Sequence, residues 1–199
     1  MNKERGSLIV FTGPSGVGKG TVLSEFKKLE MPYYLSVSAA TRAPRPGEVD
    51  GVNYFFMSVD DFEQMIREDR LLEYAQYVGN YYGTPSEPVY RNLENGIDVI
   101  LEIETKGAMQ IREKCPEAIL VFVAPPSMEE LRSRLTGRGT ERPETIEKRM
   151  NEAKRELANA DQFDYIIVNE TASEAAQELK SIIKAEKCTT ARRIHYVTL

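Results

Sequence analysis

The stretch SLIVFTGPSGVGKGT at residues 7–21 decides the fold of this chain of 199 residues. Its first part, Ser7–Phe11, is a short continuous apolar run, which is typical of a strand buried in a parallel sheet. Its second part, Gly13–Thr21, follows that strand directly and leads into a predicted helix, Lys19–Leu29. A glycine-rich loop between a strand and a helix is the setting in which phosphate loops occur. The stretch therefore predicts an α/β protein that binds a nucleotide.

The residue types in this loop fit the binding of phosphate oxygens. Gly13, Gly16 and Gly18 let the backbone turn tightly and approach an anion. Successive N–H groups and the positive end of the following helix can then surround the phosphate. Lys19 adds a mobile positive charge for the β- and γ-phosphates. The alternative, a glycine-rich turn that only joins a strand to a helix, is disfavoured by the lysine and by the strand–helix setting.

One position departs from the common phosphate-loop pattern, which places a hydroxyl directly after the lysine. This chain has Gly20 there and Thr21 next. Either Thr21 supplies the hydroxyl for Mg²⁺, or water and substrate oxygens complete the coordination. Thr21 points about 100° away from the direction of residue 20, and Mg²⁺ often keeps several waters. We therefore expect the water-mediated arrangement, and the sequence identifies no direct metal ligand.

An acidic pair follows the predicted strand Ile97–Ile103. Alternation along the strand places Glu102 and Glu104 on the same side. An acid at a strand end near a phosphate loop can orient a water on Mg²⁺. A pair of solvated carboxylates is an equally good interpretation, and both stay open.

Apolar runs alternate with amphipathic runs along most of the chain. Further strands are predicted at Ala118–Ala124 and Tyr165–Val168. Further helices are predicted at Lys106–Cys115, Met128–Leu135, Arg142–Ala160 and Ser173–Lys187, with Ser127 as an N-cap. This alternation predicts a parallel sheet covered by helices on both faces.

The segment from about residue 36 to residue 96 breaks the alternation. It is rich in Tyr, Pro and Gly, and it predicts short antiparallel strands around one helix, Asp60–Arg70, capped by Ser58. We interpret residues 1–199 as a single domain with this segment inserted into a core at about 5–35 and 97–187. A lid is expected at about 136–149, and the tail at 188–199 is expected to be poorly ordered.

The composition excludes several classes of protein. Lys and Arg number 26 against 31 Asp and Glu, so the net charge is −5, which argues against general nucleic-acid binding. No apolar run approaches the roughly 20 residues of a membrane helix, and the N-terminal apolar stretch is too short for a signal peptide. Cys115 and Cys188 form no Cys-x-x-Cys pair. We expect a cytoplasmic protein that binds neither nucleic acid nor membrane.

A second candidate phosphate site lies in the inserted segment. Arg42 and Arg45 are followed by Pro44 and Pro46, which stiffen the loop, and their guanidinium groups can grip a phosphate bidentately. Tyr54 and Tyr82 can add hydroxyl donors, outside the proline-rich loop itself. An exposed basic loop without function is the alternative.

These residues lie in runs that together resemble the guanylate kinase family of phosphate-loop nucleoside monophosphate kinases. The matching runs are GPSGVGKGT at 13–21, TRAPRPGEVDGVNY at 41–54, LLEYAQYVGNYYGTP at 71–85, APPS at 124–127, RLTGRGTE at 134–141 and VN at 168–169. The resemblance extends from about Ser7 to Lys187. It implies a core with a parallel sheet flanked by helices, a small inserted mixed α/β subdomain that binds a monophosphate, and a lid. It also accommodates Gly20, because GKGT is an accepted form in these kinases.

The resemblance implies roles for individual residues by their match to family positions. Matches to ATP-binding positions are Gly13, Pro14, Ser15, Gly16, Val17, Gly18, Lys19, Gly20, Thr21 and Asn169. Matches to GMP-binding positions are Ser38, Glu73, Thr84 and Glu104 at the base, and Arg42, Arg45, Tyr54 and Tyr82 at the phosphate. Matches to catalytic positions are Lys19, Arg42, Arg134, Arg138 and Arg149, the last three being in and beside the lid.

The base-side match makes chemical sense at Glu73. Guanine presents N1–H and a 2-amino group, both donors that a carboxylate accepts. Adenine has an acceptor at N1 and no 2-amino group, so it would leave the carboxylate unpaired. A site that depends on such hydrogen bonds rejects the wrong ligand strongly.

The resemblance implies the reaction of ATP with GMP to give ADP and GDP, with Mg²⁺ supplied as Mg-ATP. One alternative is a catalytically inactive guanylate-kinase-like scaffold that binds partner proteins, which the retained Lys19 disfavours. Another is a phosphokinase of similar fold acting on a sugar phosphate, which would have no reason to keep Ser38, Glu73 and Thr84 together. The sequence predicts no oligomeric state.

Overall fold

The computed structural model describes residues 4–137 and 142–197, which form two compact units. The first unit consists of the residues up to Val10 and Tyr33–Ile119, and the second of Phe11–Pro32 and the residues from Leu120 onwards. Each unit is described by itself. Within the described residues, no helix has the length and the apolar character needed to cross a membrane.

The structure contains nine strands and eight α-helices within the described residues, including the strands and helices predicted for the core. The strands are β1 (Leu8–Thr12), β2 (Tyr33–Leu35), β3 (Ala39–Ala40), β4 (Phe55–Phe56), β5 (Leu71–Tyr77), β6 (Asn80–Pro85), β7 (Asp98–Glu102), β8 (Ile119–Ala124) and β9 (Tyr165–Val168). The helices are α1 (Lys19–Lys27), α2 (Val59–Arg67), α3 (Ser86–Glu94), α4 (Thr105–Lys114), α5 (Met128–Thr136), α6 (Pro143–Leu157), α7 (Ala172–Glu186) and α8 (Thr190–Arg193), with short 3₁₀ segments at Ala160–Gln162 and Ile194–Tyr196.

The first unit contains two groups of strands. In one group the order is β2–β7–β1, and β2 pairs with β7 in parallel. The Val99 N–H donates to the Ser7 carbonyl at 2.9 Å, and the Asp98 carboxylate accepts from the Ser7 N–H at 2.9 Å. Val99, Ile100 and Leu101 are fully buried, which explains why β7 is a continuous apolar run rather than an alternating one.

The second group is a mixed sheet of order β4–β3–β6–β5, in which β6 is antiparallel to both of its neighbours. Helix α2 covers it with Phe62, whose ring stacks on Tyr81 at a centroid distance of 5.2 Å. The Ser58 hydroxyl caps α2 by accepting from the Asp61 N–H at 3.1 Å, as predicted. The helix ends three residues earlier than expected because Asp69 takes a left-handed conformation, φ 50°.

The sequence prediction missed helix α3 because one proline precedes it and another stands in its first turn. Pro85 precedes the helix and Pro88 is its third residue, in the first turn, where no intrahelical N–H bond is required. Gly96, at φ 73°, ends the segment, and its N–H donates to the Leu93 carbonyl at 2.9 Å. The prolines therefore mark the start of this helix rather than a loop. Strand β2 was also missed, since it is only three residues long.

The second unit contains the order β1–β8–β9, with β8 and β9 parallel, and helices α1, α5, α6 and α7. The predicted α/β class with a parallel sheet flanked by helices is confirmed. The Ser127 hydroxyl accepts from the Glu130 N–H at 3.0 Å and caps α5.

The expectation of a poorly ordered tail is wrong as far as Tyr196, because one short helix and a 3₁₀ turn continue the chain there. A four-residue helix is too short to show a period in the sequence. The predicted boundaries of core, insert and lid stay predictions.

The β5–β6 hairpin has a strained turn. Val78 and Gly79 both have positive φ, 47° and 78°, the turn geometry for which Asn-Gly is preferred. Valine is β-branched, so a left-handed conformation brings its side chain close to the backbone. Val78 is 80% exposed and has little packing to offset this strain.

Val78→Asn should stabilise the protein. Asparagine tolerates the left-handed conformation, and we expect about 1 kcal/mol and a rise in Tm of roughly 2–4 °C. Thermal unfolding measures this. Val52→Asn is the matched control, since Val52 is also exposed, at 67%, but does not have a positive φ. An equal rise in both variants, or none at Val78, would contradict the strain argument.

Candidate functional site

The predicted phosphate loop joins β1 to α1 in the second unit. Gly13, Gly16 and Gly18 have φ values of 144°, 91° and 96°. A methyl group at Gly13 would lie 2.3 Å from the Val123 carbonyl oxygen, and one at Gly16 would lie 2.5 Å from a Leu135 methyl. The loop therefore needs glycine for both its backbone conformation and its packing.

Lys19, the first residue of α1, folds back across this loop. Its ammonium donates to the carbonyl of Gly13 at 2.5 Å and reaches that of Pro14 at 3.5 Å. These contacts hold the charge at the start of the loop, where the helix N-terminus also adds positive potential. Gly20 and Thr21 are exposed in the first turn of α1.

The Val17 carbonyl, in the middle of the loop, is held by two side chains from the second unit. The Asn169 amide donates to it at 2.7 Å and Arg134 Nη1 at 3.2 Å. Arg134 also donates to the Asn169 carbonyl at 3.0 Å and to Glu130 at 2.8 Å. Asn169 is only 4% exposed, so the observed contacts of both residues brace the loop. Their roles toward a nucleotide stay predictions.

A second cation reaches the loop from helix α6. Arg149 Nη2 donates to the Ser15 hydroxyl at 2.6 Å. The guanidinium is therefore already positioned beside the exposed part of the loop. Arg138 lies outside the described residues, as does the stretch 138–141 of the predicted lid.

The predicted GMP-binding residues divide into those that line a cavity of about 200 Å³ in the first unit and those, Arg42, Arg45 and Thr84, that do not. The cavity is lined by five of them, Ser38, Tyr54, Glu73, Tyr82 and Glu104, together with Glu102. Glu102 ends β7, whereas Glu104 is not in the strand but is the N-cap of α4. Both carboxylates still face the same cavity. The Tyr54 and Tyr82 rings meet edge to face at 6.2 Å.

Glu73 is the buried charge of this cavity. It is 7% exposed, and the buried Thr84 hydroxyl donates to its Oε1 at 2.7 Å. Burial raises the pKa of the Glu73 carboxyl, the hydrogen bond from Thr84 opposes that rise, and the charge of Glu104 adds to it. Thr84 does not line the cavity, and its hydroxyl is linked to it through the Glu73 carboxylate.

Arg42 is fixed by a partner that the sequence reasoning did not assign. Its Nη1 and Nη2 donate to the two oxygens of Glu48 at 2.6 and 2.7 Å. The guanidinium also lies over the Tyr54 ring, 4.8 Å from its centroid. The Arg45 N–H donates to the same Glu48 carboxylate at 2.7 Å. Hydrogen bonds lower the pKa of the Glu48 carboxyl to about 2, and those from the Arg42 side chain contribute most.

Glu48 thus organises the loop that carries both arginines. The signal was present in the sequence, since TRAPRPGE ends in this residue, but spacing alone does not reveal the pair. The Arg45 side chain is exposed.

Among residues 4–137 and 142–197, no group of three or more His, Cys, Asp or Glu side chains is arranged to hold a metal.

Comparisons with known proteins agree on one family. The family model for guanylate kinase matches residues 5–186. The guanylate kinase of Halalkalibacterium halodurans is 53% identical over 194 residues, which cover 98% of this chain and 95% of that protein. The guanylate kinase of Listeria innocua is 52% identical, covering 96% and 94% of the two chains. A crystal structure of guanylate kinase from Anaplasma phagocytophilum matches with a TM-score of 0.75 and 32% identity, covering 96% of this chain and 92% of that one. This chain belongs to the guanylate kinase family.

Proposed function

We propose that this protein transfers the γ-phosphoryl group of ATP to GMP, giving ADP and GDP. The observation that carries the proposal is the buried carboxylate of Glu73 at a cavity that also presents Tyr54 and Tyr82. The same chain carries a phosphate loop with its lysine in place. Relatives about 53% identical over nearly the whole chain are guanylate kinases. No observation favours a protein-binding scaffold or a sugar-phosphate kinase.

We assign guanine recognition to Glu73. An ionised carboxylate accepts from N1–H and from the 2-amino group at once, and Thr84 keeps it oriented through the 2.7 Å hydrogen bond. Ser38 and Glu104 line the same cavity and are proposed to complete the base contacts. The discrimination against adenine follows because adenine cannot donate at N1.

We assign the GMP phosphate to Arg42, Arg45, Tyr54 and Tyr82. The bidentate pair with Glu48 holds Arg42 in one orientation over the Tyr54 ring. A guanidinium has five N–H donors, so the pair with Glu48 leaves others for a phosphate. Glu48 is thus proposed to position Arg42 rather than to contact the substrate.

We assign ATP to the phosphate loop, residues 13–21, with Asn169 and the arginines 134, 138 and 149. The loop offers backbone N–H groups and a helix N-terminus to the phosphates. Arg149 is held 2.6 Å from the Ser15 hydroxyl and can turn to a phosphate bound there. Mg²⁺ enters as part of the substrate Mg-ATP, and the exposed first turn of α1 leaves room for its waters.

In the reaction, an oxygen of the GMP phosphate attacks the γ-phosphorus of ATP. The bond from that phosphorus to the bridging oxygen breaks, and ADP leaves with the electron pair. The protein forms no covalent bond in this transfer. It positions the two phosphates and spreads the developing charge over Lys19 and the arginines.

Both cysteines are free, which supports our inference of a reducing, cytoplasmic compartment.

A coupled assay of ADP formation tests the proposed function. With ATP as donor we expect rapid turnover with GMP and little with AMP or a ribose bisphosphate. Lys19→Ala should lower kcat by about two orders of magnitude or more, because it removes a preorganised charge at the transferring group. Lys27→Ala, at an exposed lysine of the same helix, is the matched control. Near-normal turnover of a folded Lys19→Ala variant, or a preference for AMP, would remove the assignment.

Glu73→Gln should separate GMP binding from ATP binding. The amide replaces an accepting oxygen with a donor, so KM for GMP should rise by an amount equivalent to roughly 1.5–3 kcal/mol. KM for ATP should stay the same. An equal rise in both KM values would show that Glu73 does not contact guanine.

The same variant should be more stable than the parent at neutral pH. Burial raises the pKa of the Glu73 carboxyl, so the folded state holds this proton more tightly than the unfolded chain does and is stabilised wherever the proton is bound. That stabilisation is complete below the unfolded pKa and is lost as the pH rises through the folded pKa. Glu73→Gln should therefore raise Tm at pH 7.5 without GMP, and the gain should shrink as the pH falls. Glu113→Gln, at an exposed glutamate of α4, is the control for loss of a charge. A gain that does not vary with pH would contradict this origin.

A further inference from the structure

Helix α4 is fastened to strand β5, the strand that carries Glu73. Gln110 accepts from the Tyr74 N–H at 3.1 Å and donates to the Tyr74 carbonyl at 2.9 Å. One helical turn later, Lys114 donates to the Leu71 carbonyl at 2.9 Å. Strand β5 is at the edge of its sheet, so Gln110 makes the pair of backbone bonds that a neighbouring strand would make. The strand on either side of Glu73 is therefore fixed to the helix.

Gly107 lies on the same face of α4, three residues before Gln110, and it is buried. A methyl group at Gly107 would lie 2.6 Å from Glu73 Oε2 and 3.1 Å from its carboxyl carbon. Ordinary carbon contacts begin near 3.5 Å. The Glu73 carboxylate thus lies directly against helix backbone that has no side chain.

Neither helix stability nor backbone conformation explains a glycine at this position. Glycine within a helix is less favourable than alanine by about 1 kcal/mol. Gly107 is not among the glycines with positive φ, so an alanine can adopt its conformation. Space for Glu73 is the remaining requirement that only glycine meets.

We propose that Gly107 is a positioning residue for guanine recognition, which sets the location of the Glu73 carboxylate by having no Cβ. The inference rests on the proposed function of Glu73. Because Gln110 holds the backbone of Tyr74, the strand cannot move away from an added methyl group. The Glu73 side chain is the part that can yield, and it must move by about 1 Å.

Such a displacement should weaken GMP binding rather than the fold. The Glu73 carboxylate has to meet two donors of the base at once, and hydrogen bonds weaken steeply when distances and angles are wrong. The movement would also strain the 2.7 Å bond from Thr84. The predicted defect is therefore a selective loss of guanine affinity.

Gly83 provides the contrast on the other side of Glu73. A methyl group there would lie 2.7 Å from the Glu73 carbonyl oxygen and 2.9 Å from Tyr74 Cβ. Backbone in a paired strand cannot shift as the end of a side chain can. Gly83→Ala should therefore lower Tm, whereas Gly107→Ala should not.

The test begins with Gly107→Ala in the full chain. We expect KM for GMP to rise about tenfold or more, equivalent to about 1.4 kcal/mol, with KM for ATP within twofold of the parent. Tm should be unchanged or higher, because alanine favours the helix. An unchanged KM for GMP would overturn the proposal, and so would a fall in Tm with equal rises in both KM values.

A double-mutant cycle then asks whether Gly107 acts through Glu73. In a Glu73→Ala background the side chain that meets the methyl group is gone, so adding Gly107→Ala should leave the calorimetric Kd for GMP unchanged. A further loss of the same size as in the parent would show that Gly107 acts by another route. If the parent enzyme does not phosphorylate GMP at all, the proposed function fails. If the parent does phosphorylate GMP and Gly107→Ala has the same KM for GMP, only the inference about Gly107 fails.

Discussion

The burial of the Glu73 carboxylate, which is 7% exposed, is the constraint on which the rest of the first unit depends. Removing Glu73 from water is unfavourable unless hydrogen bonds replace the lost hydration. Thr84 supplies a donor from β6 at 2.7 Å, yet burial still raises the pKa of the acid. A base with two adjacent donors can supply hydrogen bonds that replace the lost hydration of this carboxylate. The fold therefore keeps a site that is less stable than it could be, and we propose that guanine is the base that offsets this cost.

The phosphate loop of the second unit works on a different principle. The groups proposed to bind phosphate there are backbone N–H groups, so binding would depend on holding a glycine-rich segment in one conformation. The Val17 carbonyl is held by both Asn169 and Arg134, and Lys19 is held by the Gly13 carbonyl. These bonds restrain the loop backbone, whose N–H groups are proposed to meet the phosphates. Preorganised dipoles of this kind need little rearrangement when charge develops.

The inner strands β1, β7 and β8 of the parallel sheet could be predicted from the sequence because burial on both faces leaves an unbroken apolar run, whereas the short edge strand β2 could not. The predicted Ile97–Ile103 is one residue longer than β7 at each end, and Ala118–Ala124 is one residue longer than β8 at its start. Helix α3 was missed because Pro88 in its first turn looks like a helix breaker. The short tail helix was missed because four residues show no period.

The candidate site was predictable only in part. Lys19 stands out by its place in the phosphate loop, whereas Glu73 was found through the resemblance to the guanylate kinase family. The residues that position the site side chains could not be found in the sequence. Glu48 clamps Arg42 across a loop, and Gly107 and Gln110 meet β5 from more than 30 positions further along the chain. A single sequence contains no sign of such long-range contacts, and a glycine or glutamine in a helix has many ordinary explanations.

The central claim is that Glu73 selects guanine through two hydrogen bonds, and inosine monophosphate tests it most directly. This nucleotide keeps N1–H but lacks the 2-amino group, and it is otherwise the same size as GMP. The measurement is kcat/KM for both nucleotides with ATP, in the parent and in Glu73→Gln. We predict that the parent prefers GMP by about ten- to a hundredfold, the scale of one hydrogen bond to a charged group. Most of that preference should disappear in the variant. Equal kcat/KM for the two nucleotides in the parent, or an undiminished preference in Glu73→Gln, would contradict the account.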